Sequence, residues 1–164
     1  PGFNNYNERV RQPGGFYLPN GARDGNFKTS TQKANFSVNK MPEHKLKAGQ
    51  FLMMTLRSHD QYNTTIYGLN DRYRGIYNER RVVMMNPDDM EKANLKKLQV
   101  VNLCSNYDNQ KRVVKKFLVI PYDIPSQCVA TYCPEANPLI PYNKVAHTSR
   151  TPISKSVIIE FDTK

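Results

Sequence analysis

A series of short apolar runs, separated by polar segments rich in turn-forming residues, is the feature that most limits how this chain can fold. The runs have the length of strands, and only one helix is indicated between them. Short strands joined by long polar loops are typical of a barrel or a sandwich, not of a parallel α/β sheet. We therefore predict a mainly β fold of six to seven strands. The predicted strands cover residues 51–57, 80–85, 97–103, 112–122, 127–132 and 156–161, with a weaker, alternating run at 34–38.

The indicated helix begins after the second of these strong runs. Asn86 can accept a hydrogen bond as an N-cap, Pro87 suits the first helical position, and the acidic pair Asp88 and Asp89 favours the positive end of the helix dipole. These residues predict a short helix from Pro87 to about Asn94.

Residues 1–46 have a different composition from the rest of the chain. They are rich in Asn, Gly, Pro and Arg and show no strand or helix period, apart from the run at 34–38. Large apolar side chains such as Phe3, Tyr6 and Phe16 are too frequent for a disordered tail. We interpret residues 1–46 as an extended N-terminal arm with a lead-in strand, and residues 47–164 as the barrel domain. Because the chain opens on Pro1, we expect it to be a fragment of a longer protein.

The charge of the chain allows one alternative interpretation. The net charge is +10, and residues 80–120 carry nine Lys/Arg against four acids. Such an excess can attract polyanions or an acidic protein surface. No aromatic-interleaved RNA-binding signature or recognition helix accompanies it. A free-standing basic β-barrel that binds nucleic acid or a protein partner is therefore the alternative function, and we do not expect nucleic acid as the partner.

The cysteines and the hydropathy help to predict the cellular compartment of the protein. Cys104, Cys128 and Cys133 leave an odd thiol and match no metal-site spacing. Free thiols that behave as small apolar residues indicate a reducing cytoplasm, although a redox role for the Cys128/Cys133 pair is a second, less expected reading. No apolar run approaches the length that spans a membrane, so no membrane partner is predicted.

A polar stretch directly after the first strong strand is the candidate site. Residues 55–68 bring hydroxyls, amides, an arginine and a histidine together where a strand ends, which is a common place for a binding site. A solvated connection without function is the alternative. Two further polar loops, 134–143 and 147–155, contribute Asn137 and Lys155. No catalytic set is predicted, because His59 and Asp60 are adjacent and could orient each other only through an unusual turn.

Four motifs carry a resemblance to a known family. In order along the chain they are TLRSHDQYNTTIYGLNDRYRG, RRVVMMNPDDM, YCPEANPLIP and TPISKS. Together they resemble the C-terminal dinucleotide-binding domain of molybdopterin oxidoreductases, and in particular the formate-dehydrogenase-like alpha subunits. The resemblance covers nearly the whole chain.

The resemblance implies a double-psi β-barrel that holds molybdopterin guanine dinucleotide, present in the full enzyme as a bis complex around molybdenum or tungsten. It implies that the catalytic domains, the metal ligand and any iron–sulfur cysteines precede this segment in the same cytoplasmic polypeptide. The fragment is therefore expected to be inactive and to purify without cofactor. The cofactor-binding residues that the resemblance implies are Thr55, Arg57, Ser58, His59, Gln61, Asn63, Thr64, Asn137 and Lys155.

Two positions depart from the family pattern. Leu98–Gln99 stands where the family often has Gly-Asp, and Gln32 replaces a common glycine. Leucine disfavours positive φ, which predicts that the turn at Leu98 is rebuilt. Neither position lies in the proposed site.

Overall fold

The fold is described from a computed structural model, which covers residues 2–62 and 66–162. The chain divides into two compact units, Pro1–Pro42 and Glu43–Lys164. The second unit contains all the strands found in the described residues. No helix in the described ranges is long and apolar enough to cross a membrane.

The first unit contains a short helix that the sequence did not indicate. Helix α1 covers Tyr6–Arg9. The guanidinium of Arg9 donates to the backbone oxygen of Gly2 at 2.8 Å and lies 4.3 Å from the centroid of the Phe16 ring. A single turn is too short to show a period in the sequence, and local contacts of this kind stabilise it.

The predicted strand at 34–38 is wrong. Residues 33–42 form no strand, and the side chains of Phe36 and Val38 are fully exposed. An alternating pattern makes a strand only where a second strand can accept its backbone hydrogen bonds. No described strand pairs with this segment.

The second unit is a closed six-stranded barrel with the strand order β1-β5-β2-β4-β3-β6. Strands β1 and β5 run parallel, as do β2 and β4, and the other neighbours are antiparallel. Beside the strands lie α2, Pro87–Lys92, and a 3-10 helix, Asn137–Leu139. The predicted mainly β barrel is confirmed. Its strands are β1 Gln50–Leu56, β2 Val82–Met85, β3 Val100–Tyr107, β4 Gln110–Pro121, β5 Cys128–Tyr132 and β6 Val157–Asp162.

Apolar side chains are buried on both surfaces of part of the barrel. One cluster includes Met53, Val83 and Phe117, and a second includes Val82 and Met84. Because β2 contributes alternate residues to both clusters, all four of its residues are buried. This explains why the sequence of β2 is a continuous apolar run instead of an alternating one.

The cap of α2 forms as the sequence predicted. The side chain of Asn86 accepts a hydrogen bond from the amide of Asp88 at 2.8 Å, with Pro87 at the first helical position. The amide nitrogen of Asn86 also donates to the backbone oxygen of Ile124 at 2.8 Å. Asn86 therefore both begins the helix and ties it to the segment before β5.

The predicted rebuilding of the turn at Leu98 is wrong. Leu98 adopts a φ of 64°, and the amide of Gln99 donates to the oxygen of Lys96 at 3.0 Å. Gln32 likewise has a φ of 55°. Left-handed conformations cost a side-chain-bearing residue about 1 kcal/mol or more relative to glycine. Both turns thus keep a backbone conformation that their residues disfavour. The Lys96–Gln99 turn also delays the start of β3 to Val100, three residues after the predicted start.

Candidate functional site

The barrel topology brings the predicted site segments to one end. Leu56, the last residue of β1, is the register partner of Tyr132, the last residue of the parallel strand β5. The antiparallel pairing of Met53 with Val157 places the segment before β6 beside the end of β1. Strand β2 is antiparallel to β5, so it starts at the same end. We call this region the loop end; it comprises residues 55–62, 66–80, 133–137 and 154–155.

Thr55 and Lys155 meet directly at the loop end. The amide and the hydroxyl of Thr55 donate to the oxygen of Ser154 at 3.1 and 3.2 Å. The ammonium group of Lys155 donates to the backbone oxygen of Thr55. Thr55 is buried, whereas Lys155 is exposed. The structure therefore brings these two predicted residues together, with the Thr55 hydroxyl engaged inside the protein.

A buried arginine that the sequence reasoning missed organises the neighbouring loop. Arg80 is 3% exposed, and its Nε lies 2.7 Å from the Glu135 carboxylate. Its guanidinium also donates to Ser58 Oγ at 2.6 Å, to Gln61 Oε1 at 3.0 Å and to the oxygen of Cys133 at 2.9 Å. One side chain thus connects the loop after β1, the start of β2 and the loop after β5.

Ser58 and Gln61, both predicted to bind cofactor, face this arginine. Ser58 is buried, and the Nε2 of Gln61 donates to the oxygen of Cys133 at 2.8 Å. The two side chains hold the loop against the end of β5. The sequence signal for this contact was weak, because Arg80 and Arg81 both precede the buried strand and only the buried one of the two requires an acidic partner.

Asp71 and Arg74 fix the backbone on the other side of the same loop. Asp71 is buried and forms a 2.5 Å ion pair with Arg74, and its Oδ2 accepts from the Tyr132 hydroxyl at 2.8 Å. Arg74 also donates to the oxygen of Arg57 at 3.3 Å. Burial opposes ionisation of Asp71, but the hydrogen bond from Tyr132 and the interactions with Arg74 lower the pKa of Asp71 below its ordinary value. Burial, together with the bond to Asp71, raises the pKa of Tyr132 far above its ordinary value.

His59 packs inside the loop end instead of standing free. Its ring lies edge-on to Tyr73, with the centroids 4.0 Å apart. Its buried Nε2 lies 3.1 Å from Oδ1 of Asp60, although not in hydrogen-bond geometry. Asp60 has a φ of 64°, so the unusual turn that such a pair requires is present. Because the Asp60 carboxylate is mostly exposed, this contact does not make a buried catalytic dyad.

Three predicted side chains at the loop end are exposed. They are Arg57, on the connection between β1 and β2, and Asn137 and Lys155, near the two ends of the long connection between β5 and β6. Asn137 begins the 3-10 helix, and its backbone amide donates to the oxygen of Pro134 at 2.9 Å. The loop end therefore presents two cations and one amide to solvent above a layer of buried ion pairs. The predicted residues Asn63 and Thr64 lie outside the described residues.

A cavity of about 620 Å³ lies at the opposite end of the barrel. Its carboxylate is already engaged, because Asp89 accepts from Ser126 Oγ at 2.7 Å and from the Gln127 backbone amide at 2.5 Å. The rest of the wall includes Phe51 and Phe161. This cavity holds none of the predicted site residues.

The chain matches a defined protein family. The profile of the molydopterin dinucleotide binding domain matches residues 51–158, nearly the whole barrel. The chain belongs to this family, and its role is to bind a molybdopterin-type dinucleotide.

The curated relatives are larger proteins. The chain is 47% identical over 168 residues to an uncharacterized oxidoreductase of Mycobacterium tuberculosis (strain ATCC 25618 / H37Rv) and 37% identical to protein YdeP of Escherichia coli (strain K12). Each match covers 99% of this chain but only 22% of the relative. This chain therefore corresponds to about a fifth of the length of these relatives.

Proposed function

We propose that the loop end holds the dinucleotide portion of molybdopterin guanine dinucleotide in a cytoplasmic, formate-dehydrogenase-like molybdenum or tungsten oxidoreductase. The observation that carries the proposal is the convergence of three exposed side chains at one barrel end: Arg57 from the β1–β2 connection, and Asn137 and Lys155 from the start and the end of the β5–β6 connection. The domain binds and orients the cofactor and performs no chemical step of its own.

The chemistry of these groups fits the proposed ligand. A pyrophosphate presents anionic oxygens, which suit the forked guanidinium of Arg57 and the ammonium of Lys155. The amide of Asn137 both donates and accepts, as the edge of a guanine or a pterin requires. When bound, the metal complex supplies the redox chemistry, and the protein supplies position and electrostatics.

The geometry supports two different roles for the predicted residues. Arg57, Asn137 and Lys155, the three exposed side chains, form the ligand-facing set. His59 packs against Tyr73 with its Nε2 buried, so its assignment to this set follows from the resemblance and not from its exposure. Thr55, Ser58 and Gln61 act indirectly, since their side-chain hydrogen bonds go to Ser154, Arg80 and Cys133. Asn63 and Thr64 join the ligand-facing set on the resemblance alone.

The remaining parts of the enzyme lie in other domains of the same polypeptide under this proposal. These domains provide the metal ligand, any iron–sulfur cluster and the other half of the cofactor site. The isolated chain should therefore be inactive and should purify without pterin. Tightly bound pterin, detected by fluorescence after acid oxidation, would contradict that expectation.

The experiment compares pterin content in the complete polypeptide that contains this chain. The double variant Arg57→Gln/Lys155→Gln should lose most of the pterin that the wild type retains through purification. Lys92→Gln, which removes an exposed lysine of α2 at the opposite end of the barrel, is the control and should retain it. Wild-type pterin content in the double variant would overturn the site. Chromatography of the released nucleotide tests the guanine form.

A further inference from the structure

A groove on the side of the barrel lies next to strands β2 and β4. Its volume is about 400 Å³, and Val82, Leu118 and Ile120 contribute apolar side chains to its lining. Tyr77 and Leu98 also line it. No residue of the ligand-facing set lines it.

Three large apolar side chains at or beside this groove are exposed. Tyr77 is 60% exposed, Leu98 56% and Val100 58%. Val100 is the register partner of Leu118, so it adjoins the groove. Grouped exposed apolar side chains of this kind mark interaction surfaces, whereas single ones carry no such meaning.

Leu98 adopts a left-handed backbone conformation that leucine disfavours. It sits third in the hydrogen-bonded turn Lys96–Gln99 with a φ of 64°, the position where glycine is favoured. A leucine here bears conformational strain and also exposes apolar surface to water. Both disadvantages are offset if a second surface buries the side chain.

Three cationic side chains lie next to the groove. Lys96, Lys97 and Arg81 are exposed, and no ion pair involving them occurs among the described residues. The acid in the lining, Glu79, accepts from the backbone amides of Arg80 and Arg81, both at 2.8 Å. The surface therefore complements an acidic partner.

We propose that this groove binds an acidic segment with apolar anchor side chains, supplied by the remainder of the same polypeptide. The relatives argue for that source, because this chain matches only 22% of their length and the other domains must pack somewhere on it. The inference concerns domain packing and does not depend on the cofactor.

Site-specific photo-cross-linking in the complete polypeptide identifies the occupant. Tyr77→p-benzoylphenylalanine should cross-link to an acidic segment of the same polypeptide that lies outside these 164 residues. Tyr142→p-benzoylphenylalanine, an equally aromatic and exposed position outside the groove, should not reach that segment. No cross-link from position 77, or a link only to a second copy or to another protein, would overturn the proposal.

Leu98→Gly gives a second test, in which the direction of the change in the unfolding midpoint decides whether the groove is covered. In the 164-residue chain alone, glycine should raise the midpoint of thermal unfolding or leave it unchanged, because it relieves the left-handed strain. In the complete polypeptide it should lower the midpoint, because a buried anchor is lost. Gln32→Gly, a control at another non-glycine residue with positive φ, should behave alike in both contexts. A rise for Leu98→Gly in both contexts would refute the docking.

Discussion

Arg80 is the residue on which the loop end depends most. Its guanidinium is buried, lies 3.9 and 4.9 Å from the ring centroids of Tyr67 and Tyr132, and is paired with Glu135. A buried ion pair contributes little net stability compared with apolar residues, but the removal of one partner leaves the other charge uncompensated. The Arg80–Glu135 pair therefore fixes the geometry of the loop after β1 more than it adds net stability.

Replacement of this arginine should be costly. Arg80→Met in the 164-residue chain should lower the free energy of unfolding by about 3 kcal/mol or more, since Glu135 would remain partly buried without its partner. Urea unfolding measures the change. Arg81→Met, at the exposed neighbouring position, is the control and should change it by less than about 0.5 kcal/mol. Equal effects of the two substitutions would contradict the structural role of Arg80.

Asp71 predicts an acid-dependent loss of stability. Its pKa is lowered in the folded state, so its contribution is present above the ordinary carboxyl pKa and is lost as the pH falls through the lowered value. The stability difference between wild type and Asp71→Asn should therefore be large at pH 7 and should shrink below about pH 4. Denaturant titrations across this range measure it. Asp108→Asn, in the exposed hairpin turn, should show no such trend, and a constant difference for Asp71→Asn would be the contrary result.

At the scale of elements, the loop after β1 is held by its neighbours more than by its own sequence. Arg74 binds its backbone at Arg57, and Arg80 binds its side chains at Ser58 and Gln61. The pairing of β1 with β5 then sets it beside the Asn137 segment. Elements distant in the chain therefore decide which side chains of the loop can reach a ligand.

The N-cap of helix α2 allows a prediction about the stability of the chain. Asn86→Ala should lower the free energy of unfolding by about 1–2 kcal/mol, because it removes the cap and the bond to Ile124. Glu91→Ala, on the exposed surface of the same helix, should change it by less than about 0.5 kcal/mol. Chemical denaturation monitored by circular dichroism compares them. An effect of Asn86→Ala no larger than that of the control would show that the cap is not stabilising.

The contrast between these elements shows what the sequence can predict. The strands of the barrel and the cap of α2 depend on local pattern, and both were predicted. The segment at 34–38 has a strand pattern but no partner strand, and the turn at Leu98 keeps a conformation that leucine disfavours. For the site, the sequence indicated the loop but not that Ser58 and Gln61 face Arg80. That contact joins residues 22 and 19 positions apart, which no local pattern specifies.

For the whole molecule, the net charge of +10 suggests polyanion binding, but the structure gives this interpretation little support. Several of the cations are engaged with the protein itself, including Arg9, Arg74 and Arg80. Groups held in this way cannot reach a nucleic-acid backbone. The exposed lysines and arginines that remain belong to both compact units.

The chain should therefore bind nucleic acid weakly or not at all. Fluorescence anisotropy with a mixed-sequence oligonucleotide should show no saturable binding at physiological ionic strength. Binding that weakens linearly with the logarithm of salt concentration would instead support the basic-barrel alternative.

The most direct test of the site is an experimental structure of the complete polypeptide purified with its cofactor. We predict that the dinucleotide lies against the loop end, with phosphate oxygens within hydrogen-bond distance of Arg57 or Lys155 and a base edge at Asn137. A dinucleotide seated at the opposite end of the barrel, in the cavity lined by Phe51, Lys92 and Gln127, would contradict the account.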